Sequence, residues 1–343
     1  MIRRLNNINR LTKVFLPLIF IISAISCGDT ESRRLDYKIK VTDFRGKTIQ
    51  YQKPAKRVVC LIESALSGIY MLQASESLVG IPTSVYDGNT FRQYSVLDPR
   101  INKKEIAAPG NWDFVNLESL LSLQPDLVII WASQKEAIYN IESNNISVYA
   151  VMLESINDVY KEISDLGILF DKTSRADSLI SYTKNELVKL NTEINPAQKR
   201  KVYFMWSQGL LETSGKTSVV NEVIEFAGCE NVCMDEVEHS VVNVERIIDW
   251  NPEIIVMWYN EKINTNDVLK EPAIKNISAI KSKKIFELPS VFYCDLWTLK
   301  FQYVAKLLAK WSSADDITSI DLEKDREVMC SYLYGKQFSK LLP

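Results

Sequence analysis

The chain has 343 residues, 46% of them apolar and 24% charged, and a formal net charge of −2. That length exceeds one compact core and suits two α/β domains, and the composition is that of an ordinary globular protein without a disordered majority. Basic and acidic residues interleave with no phosphate-tracking stripe, so nucleic-acid binding is set aside.

The first element is a leader. MIRRLNNINRLTK carries four basic side chains, and VFLPLIFIISAIS then runs apolar for thirteen residues up to Cys27, too short for a membrane span of about twenty. The pattern predicts a secretion signal over residues 1–26. Ala24-Ile25-Ser26-Cys27 resembles a bacterial lipobox, which implies that Cys27 is acylated and becomes the first mature residue. Residues 27–36 are then a polar tether, and the expected location is the periplasmic face of a bacterial membrane. Cys60, Cys229, Cys233, Cys294 and Cys330 remain. An odd count at scattered spacing is no disulfide framework, so structural thiols or one disulfide are expected and no metal site is assigned.

YKIKVTDFRGKTIQYQ alternates around a Phe-Arg-Gly turn and predicts a β-hairpin. KRVVCLI, SALSGIYMLQA and SLVGIPTSV predict a βαβ unit, and a looser stretch follows from Tyr86 to Phe114. Next come two stretches that match without a gap at an offset of 127 residues: VNLESLLSLQPDLVIIW and VNVERIIDWNPEIIVMW. Each predicts an Asn N-cap (Asn116, Asn243), a short helix, a helix-ending Pro (Pro125, Pro252) and a strand apolar on both faces.

Between the copies, a helix over about residues 134–142 and the strand ISVYAVM complete a first lobe, residues 37–155. Residues 156–195 carry no strand signal, and TSRADSLISYTKNELVKLNTEI has helical apolar spacing closed by Asn195-Pro196. Some twenty residues of helix make a rod of roughly 30 Å. A stiff rod predicts only a small change of lobe angle on ligand binding. The second lobe, residues 196–343, restarts with the strand KVYFMW, the loop GLLETSGKTS and the helix VVNEVIEFAG. After the second copy, AIKSKKIFELP predicts a strand, Tyr303 to Trp311 a helix, and a helical tail ends the chain. The expected fold is α/β: two similar lobes with short parallel sheets flanked by helices, joined by one long α-helix, with a ligand cleft between them.

In an open parallel sheet, ligands collect outside the carboxyl ends of the strands. Trp131 and Trp258 stand at those ends in the two copies, and Trp206 ends the first strand of the second lobe. Trp112, Tyr86, His239, Tyr293 and Trp297 lie in predicted loops on the same side. For any one of these aromatics plain burial competes with ligand contact, and Trp112 and Trp131 are favoured as functional. Large aromatics bury about 150–250 Å² each, so a few platforms hold a bulky flat or greasy solute without strong ion pairs.

KRVVCL, NLESLLSLQPDLVIIW, TSGK, AGCENV, VNVERII and NPEIIV fall in the order found in the helical-backbone class of ABC-importer substrate-binding proteins for iron siderophores, haem and cobalamin. The whole mature chain resembles that family. The resemblance implies that Glu118 and Glu245, the acid shared by both copies, dock into arginine-bearing sockets on a permease dimer that works with ATPase subunits. A Glu near a helix start also stabilises its own helix, by about 0.3–1 kcal/mol. It further implies a monomer with no resident cofactor, whose ligand is a metal chelate such as cobalamin or a ferric siderophore. The first lobe is similar to the cobalamin-binding member, whose cleft tryptophans match Trp112 and Trp131. The second departs from it, with His239 where that member has an aromatic and Glu212 in place of another beside TSGK. The tail looks like that of members assigned to iron complexes.

Enzymatic function lacks a constellation. In GLLETSGKT five residues separate Gly209 from Gly215, where a phosphate loop has four. The single histidine, His239, permits no His-Glu-x-x-His zinc site, and no Gly-x-Ser-x-Gly elbow occurs. A surface or periplasmic module that binds a chelate or oxyanion without a permease remains the alternative.

Overall fold

The computed structural model describes residues 38–194, 199–313 and 320–339. The leader, Cys27, the tether and Asn195-Pro196 lie outside them.

The predicted hairpin forms from β1 (Ile39–Thr42) and β2 (Thr48–Tyr51), antiparallel with Thr42 opposite Thr48. Its turn needs Gly46, which sits at φ +81°. Buried Asp43 organises the turn by accepting the Arg45 and Lys47 N–H groups and pairing with the Arg45 guanidinium at 2.7 Å.

β3 (Val58–Cys60), α1 (Glu63–Met71) and β4 (Leu78–Pro82) are the expected βαβ unit. The following stretch is more ordered than expected. It holds α2 (Gly88–Leu97), α3 (Pro99–Asn102) and β5 (Ala107–Gly110). α2 hides because Tyr94 is its one buried residue, which leaves almost no apolar period to read. α4 (Leu117–Ser122), β6 (Leu127–Trp131), α5 (Lys135–Ser143) and β7 (Ser147–Val151) complete a parallel sheet in the order β5-β4-β3-β6-β7.

The expected long helix forms, and a second helix before it makes the connection a helical hairpin. α6 (Ile156–Leu169) starts at a capping box of Ser155 and Asp158, and α7 (Thr173–Glu193) follows a reversal at Asp171, φ +57°. The helices touch at Gly167, where an added Cβ would lie 2.6 Å from that of Ala176. At 21 residues, α7 is about 31 Å long.

The second sheet has β8 (Lys201–Met205), β10 (Glu230–Asn231), β12 (Ile254–Met257) and β13 (Ile285–Glu287), all parallel, in the order β10-β8-β12-β13. GLLETSGKTS is not all loop: β9 (Glu212–Ser214) pairs antiparallel with β11 (His239–Val241), so His239 lies on a strand. α8 (Val219–Phe226), α9 (Val244–Trp250), α10 (Thr265–Leu269), α11 (Ser278–Lys281) and α12 (Phe301–Ser312) flank this sheet.

The tail helices α13 (Leu322–Tyr334) and α14 (Lys336–Ser339) reach beyond the second lobe. Tyr334 Oη and Ser67 Oγ of α1 are 2.5 Å apart, and Tyr332 stacks on Tyr182 of α7 at 4.0 Å. Lys306 of α12 bridges Glu186 of α7 and Asp325 of α13. Cys60, Cys229, Cys233, Cys294 and Cys330 are free and buried; burial pushes the Cys294 and Cys330 thiols up to about 12.

The duplicated stretch folds twice alike. Asn116 Oδ1 accepts from the Ser119 N–H at 2.9 Å, and Asn243 Oδ1 from the Arg246 N–H at 3.0 Å. Each helix ends in a left-handed residue before its proline, Gln124 at φ 47° and Asn251 at φ 45°. The acid after the proline then pins the neighbouring strand. Asp126 accepts the Lys56 and Arg57 N–H groups at the start of β3, and Glu253 accepts that of Lys201 on β8.

Candidate ligand cleft and docking acids

Each sheet reverses strand order beside its first strand, at β3/β6 and at β8/β12, and a ligand crevice belongs outside the carboxyl ends there. Trp131 is the last residue of β6, while Trp206 and Trp258 directly follow β8 and β12. The Trp258 N–H donates to Met205 O at 2.8 Å, which fixes the two indoles side by side.

In the second lobe they join a wall. Trp297 stacks on one side of Trp206 at 5.9 Å and 8°, and the His239 ring on it at 6.0 Å and 15°. Trp258 leans on both Trp206 and Trp297 at 5.4 and 5.9 Å. Enclosed this way, Trp206 is only 8% exposed, and its Nε1 has no hydrogen-bond partner among the described residues. His239 Nε2 lies 2.5 Å from Glu212 Oε2 across the β9–β11 ribbon. Trp258 and Trp297 stay half-buried.

The turn before Trp297 is held by Asp295, whose Oδ1 accepts the Trp297 N–H at 3.0 Å. Lys300, 1% exposed, lies 3.9 Å from Asp295 and over the Phe292 ring at 4.2 Å. Burial lowers the Lys300 ammonium and raises Asp295, and burial together with the Asp295 charge raises Glu63 of α1 to about 7.

In the first lobe Trp131 is half-buried against the core. Trp112 is 61% exposed at the tip of a tight reversal, where the Asn111 N–H donates to Phe114 O at 2.9 Å. A Cβ on Gly110 would sit 2.4 Å from Phe114 O, so that turn requires glycine. Gln134 ties the two tryptophans together through their backbones: its N–H donates to the Trp131 carbonyl and its side-chain amide to the Trp112 carbonyl at 2.6 Å. Tyr86 is tethered by its hydroxyl to Ile106 O at 2.6 Å. Tyr293 is buried, 8% exposed, against Phe292 instead of opening onto the cleft.

Between the lobes lies an opening of about 480 Å³, bounded by the start of α2 on one side and the segments after β12 and β13 on the other. Asp87, Glu261, Tyr259 and Phe292 line it, and sequence reasoning assigned none of them. Asp87 and Glu261 are 174 positions apart, and no local signal pairs them. Among the described residues no three His, Cys, Asp or Glu side chains converge as a metal site.

Glu118 and Glu245 are exposed in the first turns of α4 and α9. Each of these helices leads into the strand that follows it, β6 after α4 and β12 after α9.

A match to the family described as Periplasmic binding protein spans residues 58–292, more than half of the chain. The chain belongs to the periplasmic binding protein family. Within it, the molybdate-binding protein MolA of Haemophilus influenzae is 26% identical over 312 residues, covering 83% of this chain and 87% of its own. The vitamin B12-binding protein of Salmonella paratyphi A is 27% identical over 167 residues, covering 48% and 62%. Solved structures share the fold. MolA bound to molybdate superposes with a TM-score of 0.74 at 22% identity, covering 86% of this chain and 97% of its own. Helicobacter pylori CeuE with Ni(II) bound gives 0.73 at 19%, covering 89% and 100%. This member is thus a substrate-binding protein of the ABC-transporter type, and its family's members bind solutes rather than transform them. No helix among its described residues is long and apolar enough to cross a membrane.

Proposed function

We propose that this binding protein is the lipid-anchored receptor of an ABC importer, that it captures a bulky metal chelate, cobalamin or a ferric siderophore, between its lobes, and that it delivers the chelate to a permease dimer. The observation that carries this reading is the wall of Trp206, Trp258, Trp297 and His239 at one strand-order reversal, with Trp131 at the corresponding reversal of the other lobe. Aromatic faces of that extent suit a broad apolar rim better than a small tetrahedral oxyanion, which calls for many N–H and O–H donors. Glu118 and Glu245 serve as docking acids: they are exposed, repeat at the same offset and match a partner with its own two-fold symmetry. Cys27 carries the lipid.

A thermal-shift screen of the mature protein with cyanocobalamin, ferrichrome, haemin and molybdate tests the reading. A ligand at 100 times its Kd adds about 2.7 kcal/mol of stability, and cyanocobalamin or ferrichrome is expected to do so. A shift with molybdate alone would refute the chelate.

A further inference from the structure

Resting on the reading of the inter-lobe cleft as the ligand site, we propose that its ligand carries no net negative charge: a neutral or cationic chelate is accepted, and anionic chelates and oxyanions are refused.

Twelve residues line the opening, among them the carboxylates Asp87 and Glu261, with no Lys, Arg or His. Arg92 and Lys262, next in the chain to lining residues or nearly so, are not among the twelve. Both acids are exposed. Glu212, a third carboxylate, stands at the edge of the aromatic wall beside the His239 ring. Lys300 cannot supply the missing positive charge, because it is sealed at 1% exposure beside Asp295. The start of α2 contributes about half a positive charge, opposed by the full negative charge of Asp87 at its N-cap, whose side chain makes no capping hydrogen bond.

An anion entering this space would lose water and meet like charge, with neutral hydroxyls and amides such as Ser84, Asn89 and Ser290 as its donors. A cation would meet the carboxylates of Asp87 and Glu261 and the ring of Tyr259, which lines the same opening. The charge pattern and the aromatic ring therefore select in the same direction.

Calorimetry on the mature protein with three ferric chelates of graded charge is the test: cationic ferrioxamine B, neutral ferrichrome and trianionic ferric enterobactin, with molybdate as the oxyanion. The expected result is a Kd at least tenfold lower for the better of the first two than for ferric enterobactin, with no molybdate response. The double substitution Asp87→Asn and Glu261→Gln, which leaves volume unchanged, is expected to narrow that ratio at least threefold. Preference for ferric enterobactin, or an unchanged ratio in the double variant, overturns this inference and leaves the chelate reading standing. Silence from every chelate, cyanocobalamin included, overturns the chelate reading and this inference with it.

Discussion

Trp131 and Glu162 illustrate two kinds of residue in this chain, one placed for a ligand and one placed at a cost. Trp131 is half-buried at the end of β6, and nothing in the core depends on its outer face. We predict that Trp131→Ala weakens chelate binding at least tenfold in a titration while the far-ultraviolet circular dichroism is kept; an unaltered Kd removes this indole from the site. Glu162 is 1% exposed in α6, and its Oε1 has no hydrogen-bond partner among the described residues. Burial, then the charges of Asp295 and Asp165, raises its carboxyl to about 8 from an ordinary 4.5. The folded state thus holds a proton that the unfolded chain has released, so this group's contribution to stability is lost as pH rises from about 4.5 to about 8. The slope approaches about 1.4 kcal/mol per pH unit at most. Urea titrations of Glu162→Gln are expected to lack that part of the decline, and parallel pH profiles for variant and parent would contradict the assignment.

The duplicated stretch was the most readable element, because cap, short helix, proline and apolar strand each leave a local mark, and both copies carry all four. Its left-handed residues were not readable, since neither is glycine. They are also not equivalent. Gln124 makes no side-chain hydrogen bond among the described residues, whereas Asn251 Oδ1 accepts from the Ser278 N–H at 2.8 Å and holds the start of α11. Gln124→Gly is therefore expected to be neutral or slightly stabilising, and Asn251→Gly to cost about 1 kcal/mol through the lost cap. Equal midpoints in guanidinium for the two variants would show that the cap contributes nothing. Other elements escaped for physical reasons: β9 and β11 have three residues each, too few to show alternation. The reversal between α6 and α7 turns on Asp171, which is neither glycine nor proline. At the site, the tryptophans were visible from their positions after apolar strands, but the stacking that encloses Trp206 depends on Trp297 and His239, brought in from distant segments.

For the whole molecule, the connecting helices, the tail and both sheets share one continuous core, which includes Val58 and Ile129 of the first sheet, Val202 and Val256 of the second and Met329 of the tail. Docking is a property at this scale, since it needs both acids at once. Reversing both charges, Glu118→Arg with Glu245→Arg, is expected to abolish delivery of radiolabelled cobalamin or siderophore in cells while the purified protein keeps its Kd. Exposed ion pairs contribute about 0–1 kcal/mol each, so a single reversal should impair uptake less than the pair does. Uptake at the parental rate in the double variant would end the docking assignment.

The five thiols carry a practical consequence. All five are buried in the folded protein, and their desolvation suppresses the thiolate that oxidants and alkylating reagents attack. A chain that reaches an oxidising compartment must therefore close over its sulfurs before they cross-link, so maturation is a race between folding and oxidation. Once that race is won, the rate at which a thiol reagent is consumed counts the excursions of the native protein out of its closed form.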